Sequence, residues 1–257
     1  MASSSPTFLF VPGVCHTPAH CQPLLDAFHA RGYSAEAVAL PTVGSLASTA
    51  PLNADVNAIR DSLERLVVNE NRDVVLVCHS YGGVPGSQAV KGFERSRRMA
   101  DGTDGGIVQV VFLAAMLPKE GESTAELLAG VGAPKELGRW LEPGTENTIV
   151  ANKHATEMLF HDLDTDAAAH WTKELEPMST HTMTTPAVGV CWDLDVPKVY
   201  IVCKQDRALW IPGVSTLRFV ERVNGGSLDG WSTLEMDCGH SPFLSHIHQL
   251  VDMLTRP

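Results

Sequence analysis

The segment Val74-Val75-Leu76-Val77-Cys78-His79-Ser80-Tyr81-Gly82-Gly83 holds the residue in this chain best placed to act as a nucleophile. An apolar, strand-like run passes at once into small residues that open a helix. A tight strand-to-helix turn forces the residue at its apex into a strained backbone conformation, with its side chain exposed above the sheet edge. Ser80 occupies that apex. Such a turn needs small residues two before and two after the nucleophile; here they are Cys78 and Gly82, so the pattern reads C-x-S-x-G. A serine in this position can also be simply a helix N-cap, and the turn alone does not separate the two roles.

A serine hydroxyl is a poor nucleophile until a base takes its proton, and the base needs a carboxylate to fix its tautomer. Those partners are expected after later strands, in the chain order Ser, acid, His. Asp206 lies just beyond an apolar run ending at Cys203, and His240 just beyond one ending near Met236. Both should therefore emerge at the same carboxyl edge as Ser80, where open parallel sheets bind their ligands. Asp237 competes as the acid but reads as a strand-end turn residue, and Asp193 and Asp195 precede a strand rather than follow one. Among the eleven histidines, His246 and His248 fall on an amphipathic last helix, whereas His240 follows Gly239 in a short loop and is the expected base.

Hydrolysis of an acyl group also needs backbone N–H groups aimed at the developing oxyanion. Tyr81, at the helix start after the nucleophile, supplies one. The loop Val11-Pro12-Gly13-Val14-Cys15-His16 supplies the other through Val14, with Gly13 allowing close approach, although Pro-Gly is also an ordinary turn pair. Gly13 and His79 are further candidates for lining the substrate pocket.

Elements that would position these groups are legible as short apolar runs at Thr7–Val11, Ala35–Leu40, Asp73–Cys78, Ile107–Leu113, Lys198–Cys203 and Thr233–Met236. Between the early ones lie segments of helical period: Val56, Ile59, Leu63, Leu66 and Val67 share one face, and Leu24, Leu25 and Phe28 share another, closed by Arg31-Gly32. Near-continuous apolar strands alternating with helices imply a mostly parallel α/β sheet covered on both faces. The alternation lapses between Leu117 and Asp195, where helix-like pieces occur, among them a capping box at Ser123–Glu126, but no good strand. Residues 1–116 and 196–257 thus form the expected core, and 117–195 a helical cap inserted in it. The cap's large apolar side chains Trp140, Phe160, Trp171 and Trp192 are candidates for contacting substrate. Arg95–Gly106 reads as an exposed loop.

Bulk composition restricts the classes further. The chain has 257 residues, 44% hydrophobic and 19% charged, with a formal net charge of −11. An acidic chain lacks the basic footprint of a nucleic-acid binder, and its one basic cluster, Arg95, Arg97 and Arg98, is interleaved with Glu94 and Asp101. No apolar run is long enough to span a membrane, and Met-Ala-Ser-Ser-Ser-Pro lacks the features of a secretory signal, so a cytoplasmic location is the expectation. Six cysteines are read as buried free thiols, since Cys78 and Cys203 end apolar strands. Cys15-His16 and His20-Cys21 lack metal-site spacing, so no metal and no cofactor are expected.

Taken together, these motifs resemble the α/β-hydrolase superfamily over nearly the whole chain. More narrowly they are similar to its compact branch of plant methylesterases, hydroxynitrile lyases and small bacterial and fungal esterases. Phe10–His16 is similar to the branch's strand and oxyanion loop, usually H-G-A-C-H; Cys78–Gly83 to its elbow, usually G-H-S-x-G-G; and Asp206 and Gly239-His240-Ser241-Pro242-Phe243 to its acid and histidine loops. Two positions depart: Pro12 replaces a histidine that braces the loop, and Cys78 replaces the first elbow glycine. The resemblance implies a six-stranded, mostly parallel sheet and a Ser80–His240–Asp206 triad. It also weighs against a hydroxynitrile lyase, which has Thr where this chain has Gly13 and Lys where it has Ser241. Epoxide and haloalkane hydrolases need an Asp at position 80.

The expected activity is therefore that of a serine esterase or lactonase acting on a carboxylic ester, lactone or thioester of a small hydrophobic substrate. A homodimer is compatible with the sequence, which does not set the oligomeric state. Two other classes stay open: a non-hydrolytic catalyst of the fold, such as a cyclase, carbon–carbon bond lyase or cofactor-free oxygenase, and a receptor that binds a ligand with little turnover.

Overall fold

In a computed structural model, which describes residues 5–133, 138–209, 211 and 213–256, nine strands are numbered along the chain. They are Thr7–Val11 (β1), Ala35–Ala37 (β2), Asp73–His79 (β3), Gly106–Leu113 (β4), Leu141–Pro143 (β5), Thr148–Ala151 (β6), Met178–Ser179 (β7), Lys198–Cys203 (β8) and Trp231–Met236 (β9). The first four residues of the N-terminal Met-Ala-Ser-Ser-Ser-Pro lie outside the described set. β1 and β8 are buried along their entire length and β3 at all but its first residue. Strands this apolar are stable only with both faces covered. They sit inside a six-stranded sheet of order β2-β1-β3-β4-β8-β9, in which every neighbour is parallel. β9 lies at the edge, and four of its six residues are exposed.

Helices carry the chain back between these strands. Pro18–Ala30 (α1) begins at a residue whose fixed φ suits a first helical turn and ends at Arg31, followed by Gly32 at φ 80°. Ala54–Leu63 (α2) continues through a π-helical turn to Asn69, which keeps Ile59, Leu63, Leu66 and Val67 buried together. Gly83–Ala89 (α3) follows Ser80 and packs on α2. Arg95–Ala100 (α4) is a short helix where a loop was expected. It buries no residue; its anchors are polar, with Arg95 paired to Asp73 at 3.0 Å and Ser96 Oγ donating to Asp195 O at 2.8 Å. An apolar period could not reveal it.

The segment between β4 and β8 contains Thr124–Gly130 (α5), Ala155–Leu159 (α6), Thr165–Lys173 (α7) and His181–Thr184 (α8). The expected capping box opens α5: Ser123 N donates to Glu126 Oε2 and Glu126 N to Ser123 Oγ. Unlike the expectation of helices alone, this segment also holds β5, β6 and β7 as an antiparallel three-stranded sheet. Strands of two to four residues containing Glu142, Pro143 and Thr148 carry too little apolar pattern to be seen in sequence. Arg218–Val223 (α9), Pro242–Ser245 (α10) and Ile247–Leu254 (α11) complete the chain, with α10 and α11 packed against α1.

Candidate active site

After β1 the chain builds the sheet outward to β2, then returns to place β3 on the other side of β1. The carboxyl ends of β1 and β3 therefore flank the reversal point, the site where open parallel sheets receive ligands. Ser80 follows β3 directly and has φ 53°, in the left-handed region that a side chain makes costly. Cys15 and Ala114, just past β1 and β4, share that backbone state with φ 61° and 42°. The close turn tolerates Cys78 because position 86 is glycine: a Cβ there would come within 2.3 Å of Cys78 Sγ.

Asp206 and His240 emerge at the same edge, beyond β8 and β9. His240 Nδ1 lies 2.8 Å from Asp206 Oδ2, and the two side chains are 1% and 3% exposed. Asp206 is held by its other oxygen, which accepts the N–H groups of Ala208 and Leu209 at 2.8 and 3.0 Å. The rival Asp237 is exposed and accepts from Gln205 Nε2 instead. On the far side of His240, His79 Nε2 donates to the His240 carbonyl at 2.9 Å.

His79 thus does not line the pocket as the sequence suggested. It is fully buried, and its ring packs among Phe10, His16, His240 and Phe243. Burial, then repulsion from His240 and His16, holds its pKa well below 6.5, so it is a neutral brace. His16 belongs to the same cluster and is depressed in the same way, by burial first and by His20 second. His16 Nδ1 lies 2.7 Å from the Val14 carbonyl and its own N–H closes a turn onto Gly13 O at 3.2 Å. It braces the loop from the downstream side, in place of the bracing side chain that Pro12 lacks. Gly13 lies close against the nucleophile turn: a Cβ there would stand 2.9 Å from Ser80 Cβ and 3.0 Å from His79 Nδ1. Among the described residues, the Val14 N–H enters no loop or turn hydrogen bond, and Tyr81 lies in the first turn of the helical segment after Ser80. Val14 shares a cavity lining with Ser80, and Tyr81 follows Ser80 directly in the chain.

A cavity opens over Ser80 and Val14, walled by Met116, Leu128, Trp140, Met183 and Leu209. Thr124 also reaches it, but its hydroxyl is bound to Thr182 O at 2.9 Å. Of the four aromatics proposed from sequence, Trp140 alone is in this lining. Phe160 is fully buried against the rings of His16 and His20, and Trp171 packs on His20. Trp192 sits away from it, packed at a tilt against the rings of Phe112 and Trp231, its Nε1 donating to Pro118 O at 2.8 Å. Sequence reasoning missed Met116, Leu128, Met183 and Leu209, which carry no chemical signal of their own.

It also missed two carboxylates, Asp55 buried and Asp162 partly buried. Asp55 accepts from Thr42 N and Oγ1 and from the Tyr81 hydroxyl, the last at 3.0 Å, and so anchors the residue after the nucleophile; burial raises its pKa. Asp162 bonds to the loop before His240. All six cysteines are free and buried, and burial pushes the Cys15 and Cys191 thiols up to about 12.

A six-stranded parallel sheet with a strained serine turn and a buried imidazole–carboxylate pair at its carboxyl edge defines the α/β-hydrolase fold. The chain belongs to the alpha/beta hydrolase family, whose description matches residues 8–253. It is 30% identical over 249 residues to alpha/beta hydrolase nvfD of Aspergillus novofumigatus (strain IBT 16806), covering 97% of this chain and 95% of the relative. Its fold is similar to that of polyneuridine aldehyde esterase, with a TM-score of 0.76 at 17% identity, covering 98% of each chain. It is also similar to that of tomato methylketone synthase I complexed with 2-tridecanone, with a TM-score of 0.72 at 18% identity, covering 98% of this chain and 96% of that one. No helix among the described residues is long and apolar enough to cross a membrane.

Proposed function

We propose that the protein is a serine hydrolase that cleaves a carboxylic ester, lactone or thioester of a small, largely hydrophobic substrate. The observation that carries this reading is the buried 2.8 Å contact between His240 Nδ1 and Asp206 Oδ2, at the sheet edge where Ser80 sits in a strained turn. Asp206 fixes the tautomer that leaves His240 Nε2 free to accept a proton. Ser80 Oγ then attacks the carbonyl carbon as its proton passes to His240, and the N–H groups of Val14 and Tyr81 stabilise the oxyanion. Collapse expels the alcohol or thiol, which takes the proton from His240 (in a lactone the alcohol stays on the acyl chain). Water attacks the acyl-enzyme by the same route and restores Ser80. Residues 117–195 serve as the cap, and the uncharged lining of Met116, Leu128, Trp140, Met183 and Leu209 suits an apolar, neutral substrate. The esterase among the similar folds agrees with ester chemistry.

Turnover of short aryl esters tests this reading. Ser80→Ala is expected to leave less than about a thousandth of the wild-type rate, and Asp206→Asn to lower kcat by about 10³ to 10⁴-fold, each with an unchanged circular-dichroism spectrum. Wild-type turnover that survives Ser80→Ala contradicts the assignment. A folded wild type inert to all such esters points instead to a non-hydrolytic catalyst or a receptor.

A further inference from the structure

The carboxylate that fastens the catalytic-histidine loop comes from the inserted segment, 77 residues away in the chain. Asp162 lies between α6 and α7, and its side chain is 10% exposed. Its Oδ2 accepts the Gly239 N–H at 2.7 Å and the Ser245 hydroxyl at 2.7 Å. His246 Nδ1 stands 3.6 Å from the same oxygen, and Oδ1 is buried without a donor. The fit at position 239 is close. A Cβ there would fall 2.7 Å from Asp162 Oδ1 and 2.8 Å from the His161 ring, so any side chain at 239 would have to displace one of these two groups. Phe160, fully buried on the His16 and His20 rings, fixes the segment from behind.

We infer that Asp162 is a positioning residue for His240, and that through it the inserted segment sets the geometry of the base. His240 is held at three points: its Nδ1 by Asp206, its carbonyl by His79, and the N–H of the residue before it by Asp162. The first two restrain the ring and the downstream backbone. The third is the only one of them that depends on the insertion, and it restrains the backbone on which the ring turns. A base that must serve both Ser80 and the departing group loses rate when its backbone drifts, because alignment enters the barrier directly. This inference rests on the proposed roles of Ser80 and His240.

The experiment compares Asp162→Ala and Asp162→Asn in aryl-ester turnover and in the rate of labelling by a fluorophosphonate, with active sites counted by titration. Asp162→Ala leaves a buried N–H without an acceptor, and kcat per titrated site is expected to fall about 30-fold with KM within about twofold and labelling slowed in parallel. Asp162→Asn keeps an oxygen for Gly239 and should recover most of that loss. Exchange of the Gly239 amide, followed by NMR, should accelerate in Asp162→Ala and return toward wild type in Asp162→Asn, a readout independent of turnover. Wild-type kcat per site in Asp162→Ala overturns the inference, as does a rise in KM at unchanged kcat, which would make Asp162 a cavity residue. Unchanged Gly239 exchange also overturns it. A wild type that fails to label contradicts the serine-hydrolase reading instead, and the exchange result then decides the Asp162 contact by itself.

Discussion

The carboxyl edge of the main sheet and the inserted segment above it are built by different means. Ser80, Asp206 and His240 stand directly past β3, β8 and β9, strands whose parallel ladders fix their ends regardless of side chain. The insertion has strands of two to four residues, helices of four to nine, and closure by individual side chains such as Asp162, Thr124 and Trp192. The main sheet places the groups proposed to react, while the irregular part supplies the lining at Trp140 and Met183 and the contact on Gly239. On the proposed function, chemistry is separable from selectivity, and the Asp162 contact on Gly239 is one of the many that join the two regions.

Two tryptophans of the insertion sharpen that separation. Trp140→Ala removes a wall of the cavity and is expected to raise KM for apolar aryl esters about tenfold, equivalent to about 1.4 kcal/mol of lost contact, with kcat nearly unchanged. Trp192→Ala removes a ring packed against Phe112 and Trp231 and a hydrogen bond to Pro118. It should cost about 2 kcal/mol of stability and leave KM alone. Equal effects of the two on KM would show that the aromatics act together, and the distinction between lining and packing would fail.

The seam between the regions makes a smaller, pH-dependent prediction. His16 and His79 have pKa values depressed by burial well below 6.5, so they stay neutral in the fold. The unfolded chain binds their protons as pH drops below 6.5, and the folded chain does not. Stability is therefore full above that value and is lost as pH falls through it, by about 1 kcal/mol for each histidine between pH 6.5 and 5.5. Thermal unfolding across this range should show the decline in the wild type and a shallower one in His16→Gln. The same slope in both would mean that His16 titrates no differently when folded.

The pattern of what could be read from residues alone follows the same division. Four of the six main strands were expected to within a residue, because a strand buried on both faces is written as an unbroken apolar run, whereas the partly buried β2 stops at Ala37, three residues short of the run that marked it. β9 begins at Trp231, two residues before the run that marked it, since an exposed edge strand need not be apolar. Ser80 and His240 were visible through strand ends and chain order. Asp206 and Asp237 were separated by position, and the fold adds that one meets His240 while the other meets Gln205. The antiparallel strands were hidden by their brevity, and α4 by its polar anchors. Composition marked Phe160, Trp171 and Trp192 as large and apolar but could not say which way each faces. Asp162 was illegible for another reason: its partners are a backbone N–H and a distant serine hydroxyl, neither of which marks it in sequence.

The central claim is that Ser80 is a nucleophile activated by His240, and the most direct measurement is to treat the protein with a fluorophosphonate and map the adduct by mass spectrometry. The account predicts one phosphonyl group on Ser80, none in Ser80→Ala, and labelling strongly slowed in His240→Ala. An adduct on any other residue, or labelling that proceeds at the wild-type rate without His240, would contradict it.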